Sequence, residues 1–296
     1  MTEAEFIAAL RSMPLHPGAR GLLDDAAVVN GMVVTTDTIV EGVHFLASDP
    51  PCDVAWKLVA QNLSDLAAKG AWPDGVLLNH PLTDDGWDRA FLGGLGEALR
   101  TFATPLIGGD TVSLPAGAPR VLTITALGSD AAAPPRSGAR ARDGLWVTGT
   151  IGDAGAGLAI ARGADGPAAL LAAYRRPQPL LAQGRALAPL VHAMADVSDG
   201  LLIDASRIAA ASALAVAIDL AHVPLSRAYR AFAGGDVLAA ATAGDDYQLL
   251  FAAPDGFAPP VPATRVGSFA DGSGLSLTLG GSPVALPPRL GYQHGT

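Results

Sequence analysis

The chain has little of several residue types, and each shortage excludes a class of protein. Its 296 residues include one cysteine, Cys52, which excludes an internal disulfide and a cysteine-rich metal site. Lysine and arginine number 19 against 28 acidic residues, a formal net charge of −9. Because nucleic acids and anionic membranes bind basic surfaces, neither is an expected partner. The apolar runs are all interrupted before the roughly 20 residues that a membrane span needs.

The remaining composition is typical of a globular protein with a large core. Half of the residues are apolar, and the length is about that of two domains. The first 13 residues are acidic and amphipathic, which predicts a short helix and not a signal peptide. We therefore expect a cytoplasmic protein.

Short β-rich runs alternate with longer runs rich in alanine and leucine, which predicts a mixed α/β fold. The predicted strands are 26–29, 31–37, 75–81, 121–128, 145–149, 215–220, 247–252 and 264–269. The predicted helices are 2–12, 53–69, 86–102, 153–163, 167–174, 178–193, 199–212 and 225–233. A stretch rich in proline and arginine, 129–144, separates two strand-like runs and predicts a domain boundary. We assign an N-terminal domain to 1–132 and a C-terminal α/β domain to 133–296.

Five short acidic motifs are the most informative feature of the sequence. They are LDDAA (Asp24 and Asp25), TTDT (Asp37), NLSD (Asp65), GGDT (Asp110) and DVSDG (Asp196 and Asp199). Most flank the aspartate with threonine, serine or glycine, in a chain with only 16% charged residues, which indicates a site and not a solvated face. Two carboxylates 4 Å apart repel by about 4 kcal/mol at an effective dielectric of 20, so converging aspartates need cations.

The local pattern brings some of these groups toward one another. In the strand 31–37, Thr35 and Asp37 share one face and Thr36 lies on the other. The helix 53–69, with Asp53 as its N-cap and Lys69 in its last turn, directs Asp65 toward the end of that strand. In DVSDG, Ser198 or Asp199 would cap the next helix, whose free amides attract phosphate.

Carboxylate and hydroxyl oxygens of this kind suit Mg²⁺, which is commonly shared with substrate phosphates. The chemistry that this set predicts is Mg²⁺-assisted phosphoryl transfer. The sequence contains no P-loop motif, no Rossmann G-x-G-x-x-G in register and no EF-hand loop, so these three classes of site are excluded.

The chain resembles the thiamine-monophosphate kinase family almost end to end in the order and spacing of its motifs. These are DDAA, TTDT-x-VEGVHF, KLVAQNLSDLAAKGA, LIGGDT, PRSGA, VTGTIGDAGAGLAI, DVSDGL, GDDYQLLF and the closing LGY. The resemblance implies a two-domain PurM-like fold and a homodimer that pairs its N-terminal sheets. It also implies ATP-dependent phosphorylation of thiamine monophosphate to thiamine diphosphate, by direct in-line transfer assisted by several Mg²⁺ ions. No residue would form a covalent intermediate.

The resemblance also assigns roles to individual residues. The implied Mg²⁺ ligands are Asp25, Thr35, Thr36, Asp37, Asp65, Asp110, Asp196 and Asp199. The implied ATP contacts are Gly109, Asp110, Arg136 and Ser198. The implied thiamine-phosphate pocket contains His44, Asp245 and Tyr292, of which Tyr292 is suited to stack on a substrate ring. The chain departs from the family at Leu23, where the family has glycine, and at Asp245, where it has glutamate.

Two alternatives remain open on the sequence alone. The first is another ATP-dependent enzyme of the same superfamily, such as an aminoimidazole-ribonucleotide synthetase. Selenophosphate synthetase and the hydrogenase-maturation dehydratase are disfavoured, because they use an N-terminal and a C-terminal cysteine and this chain has only Cys52. The second is a noncatalytic module that binds Mg²⁺ and nucleotide.

Overall fold

A computed structural model of the chain describes residues 1–129 and 132–294. The first half of the chain forms a five-stranded sheet. Its strands are β1 (Ala27–Val29), β2 (Met32–Val40), β3 (Trp72–Leu82), β4 (Leu106–Ser113) and β5 (Val121–Ser129), in the order β1-β2-β5-β3-β4. The pair β3–β4 is parallel and the other pairs are antiparallel. The helices of this half are α1 (Glu3–Leu10), α2 (Pro51–Ala68) and α3 (Asp85–Thr101).

The second half forms a seven-stranded mixed sheet in the order β12-β11-β8-β10-β6-β9-β7. Its strands are β6 (Gly144–Thr148), β7 (Ala193–Asp196), β8 (Leu214–Asp219), β9 (Leu249–Ala253), β10 (Ala263–Asp271), β11 (Gly274–Leu279) and β12 (Ser282–Val284). Its helices are α4 (Asp153–Ala161), α5 (Ala168–Arg175), α6 (Leu181–Leu187), α7 (Leu201–Ala211), α8 (Arg227–Ala233) and α9 (Val237–Thr242). Short 3₁₀ turns lie at Pro17–Leu22, Arg136–Gly138 and Leu220–His222. No helix in these described ranges is long and apolar enough to cross a membrane.

Helix α2 joins the two halves. Val54 and every residue after it in α2 is buried, which is expected of a helix packed on all sides and not of a surface helix. Its apolar side packs with β2 and β5 in the core of the first half, which includes Val33, Leu122 and Ile124. Its last residues, Ala67 and Ala68, belong instead to a cluster with α6, β7 and β9. The helix therefore carries side chains of the first half to the second.

No helix in the described part of the chain covers the other face of the first sheet. Along β2 and β5 the buried residues alternate with Thr36, Thr38, Thr123 and Thr125, whose side chains lie on this open face. The pairing register continues the face to Leu77 on β3. The edge strand β4 is exposed along its whole length.

The mixed α/β fold is confirmed, and the differences from the expected elements have identifiable causes. The predicted helix 178–193 is wrong at its C-terminal end, because α6 ends at Leu187 and the chain enters β7 at Ala193. Asp53 is not the N-cap of α2; Pro50 is, since Pro51 can occupy the first helical position and Asp53 lies in the first turn. The elements β4, β7, α9, β11 and β12 were not predicted.

The expected boundary between residues 132 and 133 lies between the two sheets, which use strands 27–129 and 144–284. Residues 130 and 131 of the predicted linker lie outside the described part of the chain. The exact boundary stays a prediction.

Two adjacent glycines on α3 test how tightly α2 and α3 pack. A Cβ at Gly94 would lie 2.3 Å from the Cys52 carbonyl oxygen, whereas one at Gly93 would meet nothing within 4 Å. We expect Gly94→Ala to destabilise the protein by about 2 kcal/mol because the helices must separate. Gly93→Ala is the matched control and should stabilise it by up to about 1 kcal/mol. Chemical denaturation of both variants measures the difference, and equal stabilities would contradict the packing described.

Candidate active site

Three aspartates with buried side chains, from separate parts of the chain, meet at the junction of the two halves. Asp25 precedes β1, Asp65 lies on α2 and Asp196 ends β7. Each offers a carboxylate oxygen, and these oxygens lie within 4.8 Å of one another. We call this set the acidic cluster. Both halves of the chain contribute to it.

Hydroxyl groups hold two carboxylates of the acidic cluster. The Thr35 hydroxyl donates a hydrogen bond of 2.5 Å to Asp65 Oδ2, so β2 and α2 meet as the sequence predicted. The Ser64 hydroxyl donates one of 2.5 Å to Asp196 Oδ2. Ser64 was not predicted as a site residue, although its position beside Asp65 in NLSD was a signal. Because Ser64 lies on α2, a side chain of the first half orients the Asp196 carboxylate of the second half.

Asp37 lies beside the acidic cluster on the same face of β2 as Thr35. Its backbone amide donates to Asn62 Oδ1 at 3.0 Å, and Gln61 Nε2 donates to its Oδ2 at 3.2 Å. Burial raises the pKa of Asp37. Helix α2 therefore fixes both the backbone and the side chain of this aspartate.

Two cations compensate the charge of Asp25. Lys69 Nζ lies 2.7 Å from Asp25 Oδ2 and 2.5 Å from Asp24 Oδ1, and Arg136 forms an ion pair with Asp25 Oδ1. Burial alone would raise the pKa of Asp25, but Arg136 and Lys69 outweigh it and lower the pKa to about 2. The sequence placed Lys69 at the end of α2 but gave no reason to assign it to the site.

The pKa values of the other two members of the acidic cluster, Asp65 and Asp196, are shifted in the opposite direction. Burial, followed by the charges of Asp37 and Asp196, raises the pKa of Asp65 well above its usual value. Burial and the charge of Asp25 do the same to Asp196. Hard oxygen donors held close together against their mutual repulsion are the donor set that suits Mg²⁺. The residues present therefore fit such an ion.

A cleft of about 520 Å³ opens next to Asp37, between the two halves. It is lined by all three residues expected to contact the thiamine phosphate, together with two residues of DVSDG; these are His44, Asp245, Tyr292, Ser198 and Asp199. The cleft is large enough for a small-molecule ligand. The structure thus brings together side chains from β2, from the loop after β7, from the loop before β9 and from the C-terminal segment.

Asp245 is held from two sides. Lys57 Nζ on α2 lies 2.7 Å from its Oδ2, and the Tyr247 hydroxyl donates to its Oδ1 at 3.0 Å. Lys57 also donates to the His44 carbonyl oxygen at 3.0 Å. One buried lysine therefore ties two lining residues of the cleft to α2.

His44 faces two aromatic rings across the cleft. Its ring centroid lies 6.5 Å from that of Tyr292 and 5.4 Å from that of His294. The backbone amide of Val40 donates to His44 Nδ1 at 3.0 Å, so Nδ1 is the acceptor and Nε2 carries the proton. Burial, then the neighbouring His294, lowers the pKa of His44. The ring is a neutral hydrogen-bond donor.

The expected cap of the DVSDG helix is wrong. The N-cap of α7 is Gly200, with φ of 131° and no side-chain cap. The amides of Asp199 and Gly200 are instead bound by the carboxylate of Asp204, one turn into the helix, at 3.0 and 3.1 Å. Asp199 pairs with Arg207 at 2.5 Å. Ser198 keeps its place on the wall of the cleft.

Thr36 and the motif Gly109–Asp110 are not brought to the acidic cluster within one chain. Thr36 lies on the open face of the first sheet, where its hydroxyl donates to the Ile124 carbonyl oxygen at 3.1 Å. Asp110 lies on β4, in register with Asn79 of β3, which in turn is in register with Thr123 of β5. Strand β4 is the edge strand and is three strands away from β2. At about 4.8 Å per strand, the separation from β2 is roughly 14 Å.

Comparisons with known proteins identify relatives of both halves of the chain. Family models for AIR synthase related protein match both halves, the N-terminal domain over residues 23–129 and the C-terminal domain over residues 140–280. The thiamine-monophosphate kinase of Caulobacter vibrioides is 39% identical, over 99% of this chain and 91% of its own length. That of Escherichia coli K12 is 37% identical, over 93% and 91%.

The fold is similar to that of a solved structure, AaThiL complexed with AMPPCP and TMP. The TM-score is 0.87, with 28% sequence identity, over 99% of this chain and 97% of that one. The similarity covers both halves and therefore the junction between them.

The tautomer and the acidity of His44 can be measured directly. We expect long-range ¹H–¹⁵N correlation spectra to show the proton on Nε2 and a pKa below the ordinary 6.5. The His44 contribution to stability is then present above pH 6.5 and lost as the pH falls through its folded pKa. His294→Ala should raise that pKa, because it removes a neighbouring positive charge while burial stays. A proton on Nδ1, or a pKa of 6.5 or above, would contradict the geometry.

Proposed function

The chain belongs to the AIR synthase related family and, within it, to the thiamine-monophosphate kinases, and we propose that it transfers a phosphoryl group from ATP to thiamine monophosphate, forming thiamine diphosphate. The observation that carries this function is the acidic cluster beside Asp37, which lines the cleft, in a chain that covers 91% of the length of both kinase relatives described above. Its cellular site would be the cytoplasm.

We assign Mg²⁺ to the acidic cluster and to the residues around it. Asp25, Asp65 and Asp196 would hold ions at the junction, with Thr35, Asp37 and Asp199 as neighbouring ligands. When bound, Mg²⁺ would neutralise the charge that develops on the transferred phosphoryl group. The high pKa values of Asp65 and Asp196 support this assignment, because both carboxylates need a cation to stay ionised.

The residues of this chain would act by positioning and not by covalent chemistry. Ser198 and Arg136 would contact ATP, since one lines the cleft and the other is bound to Asp25. The acceptor phosphate is already ionised, so no strong general base is required. Positioning of the two phosphates in line, together with charge stabilisation, supplies almost all of the catalysis in such reactions.

The thiamine monophosphate would lie in the part of the cleft lined by His44, Asp245 and Tyr292. Tyr292 is 44% exposed, which leaves it accessible for stacking on a substrate ring. His44 would donate a hydrogen bond through Nε2. Asp245, with its side chain fixed by Lys57 and Tyr247, would present a carboxylate of defined orientation.

We further propose a homodimer in which the open face of the first sheet packs against a second copy. The face carries threonines and the exposed Leu77. Its β3–β4 pair is parallel, and parallel strands are usually covered on both faces. Gly109 and Asp110, which lie far from Asp37 within one chain, would reach the nucleotide and its metal ions across this interface. The dimer would then complete the site.

Asp65→Asn tests the metal assignment. The substitution removes one negative charge at nearly constant size, so the fold should be kept and its melting temperature unchanged or raised. Phosphoryl transfer should fall at least about 100-fold, which corresponds to about 3 kcal/mol of lost charge stabilisation. A coupled assay of ADP formation with ATP and thiamine monophosphate measures the loss. Asp85→Asn, at an 81% exposed side chain on α3, is the control.

Near-normal transfer by Asp65→Asn would refute the shared metal site. The same assay separates the alternatives: transfer to aminoimidazole precursors but not to thiamine monophosphate would indicate another enzyme of the superfamily. Binding of ATP and Mg²⁺ in calorimetry without any transfer would indicate a noncatalytic module.

Leu77→Glu tests the dimer. A charge in the middle of the open face should not be tolerated in an interface, so the variant should sediment as a monomer and lose activity while keeping its circular dichroism spectrum. The control is Leu92→Glu, because Leu92 is 58% exposed on α3 and lies away from this face. It should stay dimeric. A wild-type monomer, or a dimeric Leu77→Glu, would rule out the proposed interface.

A further inference from the structure

Lys69 is a fully buried ammonium group at the meeting point of three segments. It ends α2, and its Nζ contacts Asp24 and Asp25 before β1 and donates to the Met194 carbonyl oxygen of β7 at 2.9 Å. Its relative exposure is 0%. A charge is retained in such a place only when its partners satisfy it. Lys69 has two carboxylates and the Met194 carbonyl oxygen as close partners, and the Pro134 carbonyl oxygen lies 3.5 Å from its Nζ.

The partners of Lys69 show what its charge compensates. Asp24 and Asp25 are each 3% exposed in their side chains, and Asp25 belongs to the acidic cluster. Arg20 pairs with Asp24 and Arg136 with Asp25, but each of these arginines lies near the surface, with side chains 23% and 17% exposed. Lys69 is the buried cation that reaches both carboxylates.

We propose that Lys69 is an internal counter-cation that keeps the acidic cluster assembled, and the two halves of the chain docked, when no metal ion is bound. It is a positioning residue: it holds Asp25 through its carboxylate and β7 through a backbone carbonyl, two residues before Asp196. Without it, two buried carboxylates lose their shared partner next to Asp65 and Asp196. The docking of the halves then depends on Mg²⁺. This inference rests on the metal assignment proposed above.

The test compares the melting temperature of Lys69→Met with that of the wild type, without nucleotide, in EDTA and in millimolar Mg²⁺ at matched ionic strength. In EDTA the variant should melt roughly 10 °C lower, as expected when one partner of a buried ion pair is removed. In Mg²⁺ the deficit should shrink by at least half. The wild type should shift much less between the two conditions.

Lys57→Met is the matched control. Lys57 is a second buried lysine on α2, but its carboxylate partner is Asp245 at the cleft and not a member of the acidic cluster. The melting temperature of Lys57→Met should lie below that of the wild type by the same amount in EDTA and in Mg²⁺. A deficit of Lys69→Met that Mg²⁺ leaves unchanged, no deficit in EDTA, or equal recovery of both variants would each overturn the proposal.

If Lys69→Met does not fold in EDTA, Lys69→Gln repeats the comparison with a polar, uncharged side chain. The phosphoryl-transfer assay of the wild type distinguishes failure of the proposed function from failure of the proposed role of Lys69. A wild type that transfers phosphate while Lys69→Met gains nothing from Mg²⁺ refutes only the role of Lys69. Recovery of Lys69→Met by Mg²⁺ in a chain that transfers no phosphate refutes only the function.

Discussion

The mutual repulsion of buried carboxylates is the constraint on which the rest of this structure depends. Asp25, Asp65 and Asp196 come from a loop, a helix and a strand end, and nothing in their own chemistry draws them together. At an effective dielectric of 20, each charged pair at 4 Å opposes the fold by about 4 kcal/mol. The chain offsets this in part with Lys69, Arg136 and two hydroxyl donors. Burial first, and then the repulsion that remains, raise the pKa values of Asp65 and Asp196. A bound metal ion would offset that repulsion.

Helix α2 explains how a site can be divided between two halves and still be rigid. Asp65 of this helix belongs to the acidic cluster, and Ser64 binds the Asp196 carboxylate. Gln61 and Asn62 fix Asp37, and Lys57 fixes Asp245. Lys69, at the end of the helix, lies between Asp24 and Met194. A helix that serves so many contacts has no side left for solvent, which agrees with its burial. Its polar residues are buried because the site surrounds them, and each has a partner.

The sequence was sufficient where the information is local. The period of a strand placed Thr35 and Asp37 on one face, and the period of a helix directed Asp65 toward them. It was insufficient where a partner lies far along the chain. Lys69 is unremarkable at a helix end until β7 and the LDDAA loop pack against it. The strand β4 was missed because Gly108 and Gly109 are typical of loops. Here the two glycines permit a close parallel approach to β3, since a Cβ atom at Gly109 would lie 1.9 Å from the Leu78 carbonyl oxygen. The cap of α7 was misassigned because Gly200 is the N-cap, and the Asp204 carboxylate binds the amides of Asp199 and Gly200 from within the helix.

The acidic cluster and the substrate side of the cleft are also joined through the backbone. The amide of Asp245 donates to the Ser198 carbonyl oxygen and that of Tyr247 to the Val197 carbonyl oxygen, both at 2.8 Å. Asp245 and Tyr247 have φ of 67° and 50°, left-handed conformations that cost about 1–3 kcal/mol each for residues other than glycine. Such strain persists only where the surroundings fix it, and here two backbone hydrogen bonds and the Lys57 ion pair do so. Because Val197 directly follows Asp196, the distance between the acidic cluster and the cleft is set by this paired backbone, whatever the length of the side chain at position 245.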